Sequence, residues 1–265
     1  MRIKKEVYGM IYRQERIVTA SDTDGTVRLG TYQTFAMLQD GMTACLGQLQ
    51  CDNIPLRRDY GAFWVVYKTK LRFLRRPAWD EPVVLRVYPI DNRRVRAHIN
   101  MELRAPAGEL LVVGCQELVP LDLETHKPRR LEEFPYPAEG FPPAVCPPVF
   151  DKLRFDPAAD RPVYRQRIYS QHIDMSHHVN NVEYVRLALN TFPHETLMAW
   201  DIEEAEVHYD SECREGQELL ISRQGGGGDW FCRLSREGET VCRARFRFSP
   251  EKKEKTGVEN GGEKR

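Results

Sequence analysis

The chain reads as two copies of one unit. Moving the sequence by 152 positions (164 minus 12) lays Tyr12, Arg13 and Gln14 on Tyr164, Arg165 and Gln166. The same shift lays Asp22 on Asp174, Val27 on Val179, Tyr32 on Tyr184 and Ala36 on Ala188. One offset held across a strand-like, a loop-like and a helix-like stretch points to duplication rather than chance. Each copy is then a strand, a loop, a long buried helix and a set of antiparallel strands. A sheet wrapped around one central helix is the simplest arrangement that buries such a helix. The expected class is α+β, two such units in tandem.

Segments rich in β-branched and aromatic residues predict strands at 7–18, 63–74, 82–90, 95–104 and 109–120. A second set falls at 163–170, 202–209, 218–224, 230–235 and 240–248. Helices are expected over 31–47 and from about 181 onward, where apolar residues recur at helical spacing. Between the copies, eight prolines from Pro135 to Pro162 forbid regular helix or central strand and give a stiff, extended crossing. The expected division is an N-terminal unit at 1–134, a linker at 135–161 and a C-terminal unit at 162–249. Residues 250–265 are charged and nearly free of large apolar groups, as in a disordered tail. The glycines Gly225 to Gly228 lie between two strands with no Lys-Ser/Thr after them, so they read as a hairpin loop rather than a phosphate cradle.

Charge narrows the function. Lys plus Arg (39) balance Asp plus Glu (39), which argues against a dedicated nucleic-acid binder. No run approaches the ~18 apolar residues of a membrane span, and no apolar segment follows the basic start, so no signal peptide is read. Seven cysteines without a CxxC pair suit a reducing interior. A soluble, cytoplasmic protein is expected.

The chemistry concentrates in Gln171 to Tyr184, QHIDMSHHVNNVEY, a polar loop entering an apolar helix that Asn180 or Asn181 could cap. At the 152 offset Thr26 stands opposite His178, and Asp24 opposite Ser176. An imidazole needed to build the helix would have been kept in both copies. His178 therefore serves something done once per chain.

These residues resemble the signature of the acyl-acyl-carrier-protein thioesterases of plants and bacteria, roughly D-x-N-x-H-V-N-N-x-x-Y. The resemblance spans about residues 5 to 249 and implies a double hotdog: two helix-in-sheet units joined by a linker. It places the family's aspartate on Asp174 and its histidine on His178. The family's asparagine falls on Ser176, a departure that bears on how the water is held. The glutamate-cysteine pair of the family falls on Glu212 and Cys213, 34 positions (212 minus 178) after the histidine. The implied partner is acyl carrier protein, with no cofactor, no metal, no nucleic acid and no membrane span, in a monomer or homodimer. The resemblance also implies an acyl pocket in the first unit, with Met37, Met42, Phe63, Trp64, Val66 and Phe73 as candidates. Arginines at 57, 58, 72, 75, 76, 93, 94 and 96 form a candidate docking surface for the acidic carrier.

Thioester hydrolysis needs an activated water, a donor for the carbonyl oxyanion and a proton for the leaving sulfur. Glu212 can take the water's proton, or the roles of Asp174 and Glu212 are exchanged. His178 can orient water or carbonyl with Asp174 holding it. The backbone N–H groups of Val179, Asn180 and Asn181 at a helix start suit an oxyanion. Cys213 as a nucleophile is the less favoured alternative. The expectation requires His178 and Glu212 to meet in space with room for a water between them. The competing classes are an acyl-CoA thioesterase or other hotdog enzyme, and a non-catalytic acyl or acyl-carrier binder.

Overall fold

The structure, a computed structural model, describes residues 9–249. The first half contains β1 (Tyr12–Ile17), α1 (Thr31–Gln48), α2 (Asn53–Tyr60), β2 (Ala62–Phe73), β3 (Pro82–Arg93), β4 (Arg96–Arg104) and β5 (Leu110–Asp122). The second half contains β6 (Arg161–Arg167), α3 (Asn181–Leu189), α4 (His194–Ala199), β7 (Asp201–Tyr209), β8 (Glu218–Gly226), β9 (Asp229–Arg236) and β10 (Glu239–Ser249). All ten strands join one sheet in the order β1-β3-β4-β5-β2-β7-β10-β9-β8-β6, with every pairing antiparallel. Read from its outer edge, the second half runs 6-8-9-10-7, the connectivity of 1-3-4-5-2. A pseudo-two-fold axis therefore passes between β2 and β7, where Lys70 faces Glu206. The tandem hotdog is the fold observed. The expected tail and the start of the strand expected from position 7 lie outside the described residues.

Every expected strand is present within a few residues. Two helices were not expected: α2, whose N-cap Asp52 accepts from Ile54 N–H at 2.7 Å, and α4, which follows Pro193. The two central helices also differ in length. The first has 18 residues and α3 only 9, because Pro193 lies just downstream and a chain approaching proline leaves helical geometry.

The register of the duplication is 150 (181 minus 31), not 152. Asp24 N–H donates to Arg28 O, and Asp174 N–H to His178 O, each at 3.0 Å. Isolated bridges join Thr23 to Leu29 and Ile173 to Val179. Val27 and His177 both take left-handed backbone, with φ of 57° and 64°. Side-chain identities two positions out misplace the match because strand side chains repeat every two residues, so a slip of two keeps each on its face. Arg28, not Thr26, therefore stands opposite His178. Thr26 stands opposite Ser176, and Asp24 opposite Asp174.

Apolar side chains from both halves merge into one core between the sheet and the central helices. Helix α1 buries Phe35, Leu38, Met42, Cys45 and Leu46 on one broad stripe. Gly41 lies on that stripe because a Cβ there would come within 2.7 Å of Leu85 and 2.9 Å of Val87, so the helix sits directly on β3. Met37, Met42, Trp64, Val66 and Phe73 belong to this core, but Phe63 does not. It packs with Val119 and Leu121 in a separate cluster, so it is set aside as a pocket candidate.

The outer face of the sheet is polar yet buried. His98, Asn100, Glu102, Glu117, Glu206 and His208 are all below a tenth exposed. Each would cost about 1–3 kcal/mol if left unpaired, and the proline-rich connection after β5 covers and bonds many of them. Asn100 accepts from the N–H groups of Val145 and Cys146 and donates to Cys146 O at 2.7 Å. Glu206 accepts from Asp151 N–H at 2.8 Å, and Arg243 donates to Leu153 O at 2.8 Å. His98 sits between Asp91 (2.8 Å) and Glu117 (3.2 Å) and stacks on Phe150. Burial lowers the His98 pKa, but hydrogen bonds to both carboxylates and their charges outweigh it, so the net shift is upward. The His98 hydrogen bond, against an opposing burial effect, holds Glu117 down at about 2.

Two tests follow from this architecture. A raised histidine stabilises the fold fully below its unfolded value of ~6.5 and loses that contribution as pH rises through the folded value. A depressed glutamate stabilises above its unfolded value of ~4.3 and loses that contribution as pH falls toward about 2. The stability difference between parent and His98→Gln, measured by urea melts, is thus largest between about pH 4.3 and 6.5 and shrinks on either side. A difference that grows above neutrality refutes the assignment. Val27 is 58% exposed and β-branched in left-handed backbone, a strain of about 1–2 kcal/mol. Val27→Asn should raise Tm by about 2–4 °C, read by calorimetry.

Candidate active site

The loop before α3 is shaped by its own side chains. Asp174 Oδ1 accepts from Ser176 N–H at 2.8 Å, which closes the turn that places His177 in left-handed backbone. Asn180 is the cap of α3, its side chain accepting from Val182 N–H at 3.0 Å. The loop is fastened to the end of β7 by one backbone bond, Val179 N–H to Cys213 O at 2.9 Å. That bond brings His178 to the residue before Cys213. His178 Nε2 lies 3.0 Å from Glu212 Oε2, and the two side chains are 22% and 41% exposed. Sequence expectation and structure agree that these groups meet, but they meet directly. No water fits between them.

Three expectations are corrected. The Asp174 carboxylate bonds Ser176 N–H, not the His178 ring, whose carboxylate neighbour is Glu212. Asp24 does the same task in the first half, accepting from Thr26 N–H and Oγ1, so this aspartate builds the loop in both copies. Of the three proposed oxyanion donors, Val179 N–H is taken by Cys213 O and Asn180 N–H by His172 O. Asn181 N–H, at the first helical position, is the one left. Cys213 is fully buried and burial pushes its thiol upward, against the thiolate a nucleophile needs.

The equivalent place in the first half holds different chemistry. Leu29 N–H donates to Pro77 O at 2.8 Å, as Val179 does to Cys213 O, so Arg76 stands where Glu212 stands. Arg76 is 8% exposed and bonds Asp24 and Thr26, with Asp201 at 3.4 Å. Arg28 lies 3.6 Å from the same Asp201. The counterparts of acid and imidazole are both arginines, and this place holds an ion cluster spanning the two halves. Buried Arg76 is thereby removed from the candidate docking surface. Several other arginines of that surface are neutralised: Arg58 by Asp59, Arg75 by Glu81 and Glu109, Arg93 by Asp91 and Arg96 by Glu117.

Two side chains at the site carried no sequence signal. Gln39 of α1 donates to Asn180 Oδ1 at 3.1 Å, across 141 positions of sequence. Arg236 of β9 donates to Glu212 O at 3.0 Å and so holds the backbone of the acid. Only the fold brings either of them near. Among the described residues, the carboxylates with metal-like proximity are Asp151, Glu204 and Glu206 on the outer face. Lys70 lies 3.1 Å from Glu206 and 3.5 Å from Glu204, Arg245 2.8 Å from Asp151 and Arg247 3.1 Å from Glu204, so their charge is already balanced. No helix among the described residues is long and apolar enough to cross a membrane.

The fold has solved counterparts. An acyl-ACP thioesterase from Bacteroides thetaiotaomicron matches with a TM-score of 0.80 at 19% identity, covering 94% of this chain and 100% of that one. A 12:0-ACP thioesterase from Umbellularia californica matches with a TM-score of 0.78 at 16% identity, covering 91% and 98%. No curated protein matches by sequence. The profile of the acyl-ACP thioesterase N-terminal domain matches residues 9–134, and that of the C-terminal domain matches residues 160–259. With both domains matched over most of its length, the chain belongs to the acyl-ACP thioesterase family and is a thioester hydrolase acting on acyl-acyl carrier protein.

Proposed function

We propose that His178 and Glu212 carry the hydrolysis. The supporting observation is their 3.0 Å contact, made by two residue types that each occur in only one of the two structurally matched sites. Glu212 takes a proton from a water at its exposed oxygen. The hydroxide adds to the thioester carbonyl, and Asn181 N–H stabilises the oxyanion. The C–S bond breaks as the carbonyl reforms, and the proton held by Glu212 passes to the sulfur. Water is consumed, and a fatty acid and a carrier thiol leave, which ends elongation of that chain. His178 fixes the carboxylate through Nε2 and faces the same space. Asp174 shapes the loop. Ser176, half-buried in the same loop, carries a hydroxyl at the position where the family has a longer amide.

The acyl chain is assigned to the first half, against Met37, Met42, Trp64, Val66 and Phe73, all on the apolar inner side. Carrier docking is assigned to the arginines of the candidate surface that have no carboxylate within 4.0 Å among the described residues, Arg57, Arg72 and Arg94. The domain division at 134/135 and 161/162 is part of this proposal. So is a cytoplasmic location, supported by seven cysteines that are all buried and free of disulfides.

The test is thiol release from acyl-carrier and acyl-coenzyme A thioesters. Glu212→Gln and His178→Ala should each lower kcat/KM on the carrier substrate by at least ~100-fold, the scale of a lost general base. Near-parental rates in both would place the chemistry elsewhere. Cys213→Ala should keep kcat within a few-fold of the parent at 25 °C, and native protein should resist alkylation at Cys213. A collapse in kcat with the fold intact would restore the covalent alternative.

A further inference from the structure

Beside Glu212, on the side away from α3, lies an open cleft of about 480 Å³ lined by Ser211, Glu212, Arg214, Gln217 and Arg236. Its wall is polar and prebuilt. Gln217 Oε1 accepts from Arg214 N–H at 2.8 Å and from Arg236 at 3.3 Å. Arg236 is held further by Glu212 O and by Glu239 at 2.9 Å. Arg214 is different. Its guanidinium is exposed and, among the described residues, has no carboxylate within 4.0 Å, unlike Arg58, Arg75, Arg76, Arg93 and Arg96. A flexible cation without a partner, at the rim of a cleft whose inner wall is the catalytic acid, is arranged for an anion that trails the reacting group.

The assigned substrate has such an anion. The thioester hangs on a phosphopantetheine arm with two amides along it and a phosphodiester at its far end. Arg214 lies two positions after Glu212, which spans at most ~7 Å of chain, and an extended arginine side chain adds about as much again. With the thioester carbonyl at Glu212, the arm can lie in the cleft against Gln217 and bring its phosphate to Arg214. A guanidinium suits this task because its planar fork can bond two phosphate oxygens at once.

We propose that the cleft is the subsite for the phosphopantetheine arm, with Arg214 as the residue that binds its phosphate. This rests on the hydrolytic reading above and adds a specificity determinant to it. The carrier's arm is the occupant favoured by the family, and coenzyme A presents the same chemistry.

The experiment compares acyl-pantetheine with acyl-4′-phosphopantetheine, which differ only in the phosphate, on parent, Arg214→Glu and Arg214→Lys proteins. The parent should prefer the phosphorylated thioester by at least tenfold in kcat/KM, through KM. Arg214→Glu should abolish that preference, and Arg214→Lys should retain part of it. A parent that treats the two equally, or an Arg214→Glu protein that loses both substrates in proportion, overturns the subsite. Carrier and coenzyme A thioesters run alongside show which source of the arm the subsite serves. Failure of the parent on every thioester would instead overturn the hydrolytic reading, so the two failures are distinguishable.

Discussion

The backbone bond from Val179 N–H to Cys213 O is the constraint on which the site depends. The loop before α3 and the end of β7 are separated by more than thirty positions, and neither has the other's chemistry. One hydrogen bond fastens them edge to edge and sets His178 against Glu212. The same bond exists in the first half between Leu29 and Pro77. The same fastening is thus present twice, and side chains alone decide that an imidazole and a carboxylate meet beside it once. A bond of this kind is worth only ~1 kcal/mol net, but here it transmits position, and catalysis is unforgiving of small displacements.

Pairing the halves at their structural register turns each residue into a controlled comparison. Aspartate is kept in both loops, where it accepts the N–H two residues on, so its presence says nothing about catalysis. Histidine and glutamate are kept in one, and the other has two arginines. Those arginines do not form a bare positive patch. They close onto Asp24 and Asp201, the latter from the opposite half, so the lost site was reused to tie the halves together. A lone Arg76 at 8% exposure would be costly, and the clustered acids are what make its burial tolerable.

Much of this was legible in the sequence because alternation and helical spacing are local properties. Every strand and both central helices could be read, and so could the identities of His178 and Glu212, since a signature spans them. The register of the repeat was misread by two because strand periodicity makes that slip nearly invisible from identities alone. The missed contacts are non-local. Gln39 reaches Asn180 only after the two halves have folded against each other, and Arg236 reaches Glu212 only after β9 has taken its place in the sheet of its own half. The roles given to the Val179 and Asn180 N–H groups failed for a related reason: whether a donor is free depends on where a carbonyl ends up, and Val179 finds its partner at Cys213, in the connection after β7.

The two loops also differ in what covers them, and this completes the division between the halves. At Gly25 a Cβ would come within 2.9 Å of the His194 and Met198 side-chain ends, so α4 of the second half lies close against the first loop there. Its structural counterpart is Met175, which is 76% exposed. One loop is touched by a helix from the opposite half and holds an ion cluster that both halves share. The other projects into solvent with its acid beside an open cleft. The choice of glycine at one position and methionine at its twin therefore belongs to the same asymmetry as arginine against glutamate. The first difference sets how closely the opposite half packs on the loop, and the second sets which charged groups meet beside it.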